Sequence, residues 1–111
     1  MNGLQLASFF AFDKTNRGGV NVAVGDVDGD GQEEIVASEV SRGSGLVKVF
    51  TLDGVLKSQF YALGNRYRGG VKLATGDLDA DARAEIILTP TDQQYGLVKV
   101  MTAQGIAKRQ F

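Results

Sequence analysis

Val22-Ala23-Val24-Gly25-Asp26-Val27-Asp28-Gly29-Asp30-Gly31-Gln32-Glu33-Glu34-Ile35-Val36-Ala37 sets an acidic loop between two short apolar runs. Fifty-one residues later the chain does this again, with Leu73-Ala74-Thr75-Gly76-Asp77-Leu78-Asp79-Ala80-Asp81-Ala82-Arg83-Ala84-Glu85-Ile86-Ile87-Leu88. Residues 1–60 lie over residues 52–111 without a gap, identical at 24 of 60 positions. One unit is therefore written twice. A period of about 50 built from short strands and glycine turns is a signature of propeller blades, small sheets that cannot cover both faces alone.

Within one period the alternation predicts four antiparallel strands. Val20–Val24 and Ile35–Ala37 form a hairpin closed by the acidic loop, Leu46–Phe50 alternates around Lys48, and Val55–Tyr61 returns after the tight-turn signal Asp53-Gly54. In the second copy the strands are Val71–Thr75, Ile86–Leu88, Leu97–Met101 and Ile106–Phe111. Gly3–Phe9 aligns with Gly54–Phe60 and Gly105–Phe111, so the fourth strand is present three times and the first three twice. The expected fold is all-β: two four-stranded antiparallel propeller blades, residues 13–63 and 64–111, with an extra strand in residues 1–12 that completes a neighbouring blade. Propellers need about four to eight blades, so a ring of this chain requires self-association: a trimer supplies six blades and a tetramer eight.

Composition narrows the chemistry. Of 111 residues 43% are hydrophobic, with 15 glycines against a single proline, which favours many short strands in a packed domain. Without cysteine or histidine there is no disulfide, no thiolate or imidazole metal site and no histidine base. No run of about 18 apolar residues predicts a membrane helix. Nine of the 13 acids lie in the two loops, and two divalent ions would move the net charge from −1 to +3. Lys48, Lys57, Lys99 and Lys108 are spread over strands without clustered aromatics, so the reading is a solvated face and no nucleic-acid partner. The repeated Arg17-Gly18-Gly19 and Arg68-Gly69-Gly70 read as close backbone approaches, and Phe9, Phe60 and Phe111 as packing anchors between sheets.

The loop has the chemistry of a cation site. Side-chain oxygens at positions 1, 3 and 5, a carbonyl at 7 and a carboxylate at 9 can wrap one ion; here these are Asp26, Asp28, Asp30, the carbonyl of Gln32, and Glu34. All-oxygen coordination suits Ca²⁺, which accepts six to eight oxygens flexibly, better than Mg²⁺. Three aspartates and a glutamate recur in both copies, and like charges this close repel unless a cation is present. In the second loop Gly29 and Gly31 become Ala80 and Ala82, and Arg83 replaces Gln32, which predicts a weaker site.

With its strand frame, Val22-Ala23-Val24-Gly25 before the loop and Glu34-Ile35-Val36-Ala37 after it, this motif resembles the FG-GAP or integrin-α-like repeat, close to bacterial VCBS-type repeats. The resemblance implies a β-propeller with Ca²⁺ between the first two strands of a blade, in an extracellular or cell-surface setting. Carried over residue by residue, the ligands are Asp26, Asp28, Asp30, Gln32 and Glu34, then Asp77, Asp79, Asp81, the Arg83 carbonyl and Glu85. The family commonly ends its loop with Asp where this chain has Glu.

The sequence thus predicts a calcium-binding, non-catalytic scaffold for adhesion, assembled into a ring that could present a protein or glycan ligand. No nucleophile with a partnering base accompanies the carboxylates, which argues against an enzyme. The alternative is a carbohydrate-binding, lectin-like propeller, for which Tyr67, Arg68 and Tyr95 could stack on and hydrogen-bond a sugar.

Overall fold

The computed structural model describes residues 11–12, 19–39, 45–63, 70–78, 83–90 and 97–110. They contain two four-stranded antiparallel sheets and no helix. The first sheet runs β1 (Val20–Gly25), β2 (Glu34–Glu39), β3 (Leu46–Phe50) and β4 (Leu56–Tyr61), neighbours in space as in sequence. The second repeats it with β5 (Val71–Gly76), β6 (Glu85–Pro90), β7 (Lys99–Met101) and β8 (Ala107–Gln110). Register repeats as well: Val22 pairs with Ala37 as Leu73 pairs with Leu88, and Gly25 with Glu34 as Gly76 with Glu85.

Expected boundaries shift by one or two residues: β1, β2, β5 and β6 run longer than expected, and β4, β7 and β8 start later. Val55 and Ile106 belong to turns, because each is held by the threonine four residues earlier. Thr51 N–H donates to the Val55 carbonyl at 2.8 Å and Val55 N–H to Thr51 Oγ1 at 3.0 Å. Thr102 and Ile106 repeat both bonds at 2.9 and 3.2 Å. These turns close through Gly54 and Gly105, at φ of 95° and 84°, a backbone region that glycine enters without steric cost. β7 starts at Lys99 instead of Leu97. In the expected leading strand, Ala11 and Phe12 form a bend, and residues 1–10 lie outside the described residues.

Because successive strand residues point to opposite faces, each sheet has a front and a back. The front of the first sheet carries Val20, Val22, Val24, Ile35, Ala37, Lys48 and Phe50; its back carries Asn21, Ala23, Val36, Ser38, Val47, Val49 and Phe60. The back of the first sheet packs on the front of the second. Val36, Val47 and Val49 meet Val71, Ile86, Leu88 and Met101 in one buried core, which Val27, Ala62 and Ala103 extend. Polar seams register the sheets: Asn21 Nδ2 and Ser38 Oγ donate to the Val71 carbonyl at 2.7 and 2.6 Å, Thr75 Oγ1 donates to the Val24 carbonyl at 2.6 Å, and Ser58 Oγ to the Ala103 carbonyl at 2.9 Å. The sheets come closest along β1, β2 and β5 and diverge toward β4 and β8.

Of the predicted packing anchors, Phe60 lies against Gly105 of the second sheet, while Phe9 and Phe111 lie outside the described residues.

Candidate metal centre

The hairpin between β1 and β2 supplies the acidic cluster. Its last rung pairs Gly25 with Glu34, leaving residues 26–33 to turn the chain. Asp26 organises that turn: Oδ1 accepts from the N–H groups of Gly29 and Asp30 at 2.8 and 3.1 Å, and Oδ2 from Gly31 at 2.9 Å. Asp28 Oδ1 accepts from Asp30 N–H at 3.3 Å and Asp30 Oδ1 from Gln32 N–H at 2.9 Å. Each aspartate therefore holds the backbone just downstream, the local bonding that makes Asp a turn residue. Gly29 and Gly31 sit at φ of 75° and 87°, so both glycines of the motif meet a conformational demand.

Glu34 closes the loop from below. It is only 1% exposed, and Oε1 accepts from the N–H of Val27 at 3.0 Å, while the Val27 side chain joins the core. A buried carboxylate is costly unless its oxygens are bonded, and here both are. Asp26, Asp28, Asp30 and Glu34 each offer one oxygen, all four within 4.8 Å of one another. Opposite ligands of a Ca²⁺ held by bonds of 2.3–2.6 Å stand about 5 Å apart, so a single ion of that size can reach the set.

The sequence reading missed Lys57. From β4 its Nζ donates to Asp28 Oδ2, to Glu34 Oε2 at 3.2 Å and to Asp30 Oδ2 at 3.3 Å, putting one positive charge beside three of the four carboxylates. The hydrogen bond to Asp28, with those to Glu34 and Asp30, raises the Lys57 pKa well above its ordinary value. The Asp30 carboxyl is lowered, first by the backbone bond from Gln32 and then by Lys57. Four carboxylates and one ammonium leave a local charge of −3, which a divalent ion would reduce to −1. A signal was available: Lys57 and Lys108 are identical across the repeat, whereas the residues flanking them, Leu56 and Ser58 against Ala107 and Arg109, are not.

The second loop repeats what can be compared. Glu85 is buried, its Oε1 accepts from Leu78 N–H at 2.9 Å, and its Oε2 accepts from Lys108 at 3.1 Å. Asp77 is exposed, and Asp79 and Asp81 lie outside the described residues, as do Ala80 and Ala82. The Arg83 side chain covers Gly29 of the first loop, where a Cβ would meet Cγ at 2.6 Å. The N–H of Ala84 donates to the Asp26 carbonyl at 2.8 Å, tying the loops together.

No family model matches the chain, and neither does any curated protein or solved structure. Fold and site together define a twice-repeated antiparallel β unit whose first hairpin gathers four acidic side chains able to bind a metal ion.

Proposed function

We propose that this protein is a non-catalytic, calcium-binding β-propeller module of the FG-GAP type, a structural scaffold for adhesion that completes a ring by association of copies. The observation that carries the reading is the convergence of Asp26, Asp28, Asp30 and Glu34 from one hairpin loop within 4.8 Å. The wedge formed by the two sheets, closest along β1 and β5, supports a radial arrangement of blades. Calcium acts here as a brace: binding only the folded hairpin, it stabilises the fold by mass action, by about 2.7 kcal/mol at a concentration 100-fold above Kd. The Gln32 carbonyl completes the ligand set. The residues raised for a sugar site, Tyr67, Arg68 and Tyr95, lie outside the described residues, so nothing favours the lectin reading.

Thermal melts in Ca²⁺, in Mg²⁺ and in chelator test this. Calcium should raise the melting temperature by several degrees over chelator, with Mg²⁺ weaker; identical melts in all three would overturn the metal reading.

A further inference from the structure

The internal packing of the repeat leaves one face of each sheet without its counterpart. The back of the first sheet is covered by the front of the second, where Val71 is fully buried. On the front of the first sheet the equivalent residues are open: Val20 is 42%, Val22 63% and Val24 49% exposed. On the back of the second sheet lies an apolar groove of about 200 Å³, lined by Lys72, Ala74, Ile87, Thr89 and Val98 among others. Fifty-one residues earlier, those positions are Asn21, Ala23, Val36, Ser38 and Val47, part of the surface that receives the second sheet. Both halves of the internal interface therefore recur on one chain, the front of the first sheet being open along β1, while farther across it Ala37 and Phe50 are buried and Lys48 bonds the Ala11 carbonyl.

We propose that a second copy of this chain occupies the groove, set head to tail so that its Val20, Val22 and Val24 lie on Lys72, Ala74, Ile87 and Thr89 of the first. This rests on the propeller reading of the repeat and gives that reading an address. One donor of the internal seam is kept in kind: Asn21, which holds the Val71 carbonyl with Ser38, becomes Lys72, placed for the carbonyl of the incoming Val20, whereas Thr89, in the place of Ser38, donates to the Leu97 carbonyl of its own sheet at 2.7 Å. The substitutions also complement each other. Asn21 beside the Val71–Pro90 rung inside the chain becomes Lys72 beside the Val20–Glu39 rung between chains, so this rung gains a positive charge from one face and a negative one from the other. Such an interface is heterologous: it leaves the same two faces free at the ends of any row and disappears only when a ring closes.

Sedimentation of the full chain and of two variants tests the proposal. Val22→Asp charges the front of the first sheet and Ala74→Asp the back of the second; both residues are exposed, so each variant should melt near the parent. The parent should sediment above monomer mass. Each variant alone should stop at a monomer or at most a weak dimer. An equimolar mixture should give a one-to-one dimer and nothing larger, because each variant keeps the face the other has lost. Lys72→Glu should weaken parent association several-fold, and adding Glu39→Lys should restore it. A parent that stays monomeric at all concentrations overturns the inference, as does association that both aspartates leave intact. The metal reading is judged separately, by whether calcium raises the melting temperature of monomeric V22D.

Discussion

Lys57 and Asp30 make the loop a charge-balance problem at the level of single side chains. Lys57 sits close enough to three carboxylates to relieve their repulsion, so Lys57→Met should lower the melting temperature in chelator, and added calcium should then give a larger rise than in the parent. Differential scanning fluorimetry of the four combinations reads both effects; equal calcium increments in parent and variant would mean that lysine and metal do not share the same oxygens. The pH dependence without metal follows from the two shifts. Asp30 is more acidic in the folded protein, so its contribution is present above the ordinary carboxylate range of about 4 and is lost as pH falls through the lowered value. Lys57 is more basic in the folded protein, so its contribution is complete below about 10.5 and disappears as pH rises through the raised value. Melting temperature in chelator should therefore show a plateau across neutral pH and fall at both ends. The sequence displayed the carboxylates but not the lysine. Alternation tells which face of β4 Lys57 occupies, yet only the twist that brings β4 past the β1–β2 loop tells what that face meets.

At the scale of strands and turns, most of the fold was legible, since apolar alternation and glycine turns placed all eight strands. What the alternation could not locate was where pairing stops. Val55 and Ile106 look like strand residues, but Thr51 and Thr102 draw them into turns by bonding both of their backbone groups. The Gly105 turn has a second duty that sequence could not reveal, since Phe60 of the first sheet packs against it. A Cβ there would approach Phe60 Cβ to 2.7 Å at a φ of 84°, combining backbone strain with a clash between sheets. Gly105→Ala should cost more than the roughly 1 kcal/mol of an ordinary left-handed glycine, measured by urea denaturation, whereas Gly31→Ala, with open space around it, should cost about that amount in chelator. Equal losses would show that Phe60 gives way freely.

For the molecule as a whole, the core belongs to neither sheet. Val36, Val47 and Val49 share one core with Val71, Ile86, Leu88 and Met101, so each sheet taken alone would expose an apolar face. Calorimetry should accordingly find a single unfolding transition with matching calorimetric and van't Hoff enthalpies, whereas two resolved transitions would assign each sheet its own stability. This dependence explains why the repeat foretold two packed antiparallel sheets: a unit that cannot cover itself must be written at least twice.

Lys48 donates to the Ala11 carbonyl at 3.0 Å, and Lys99 to the Ala62 carbonyl at the same distance. Ala62 directly follows β4, so a neighbour seated by the internal step would bring its own Ala11 to the far end of β8. In the proposed assembly the Lys48–Ala11 bond of each copy would thus sit at the seam between molecules, so breaking it by Lys48→Met should loosen the joint as well as the fold.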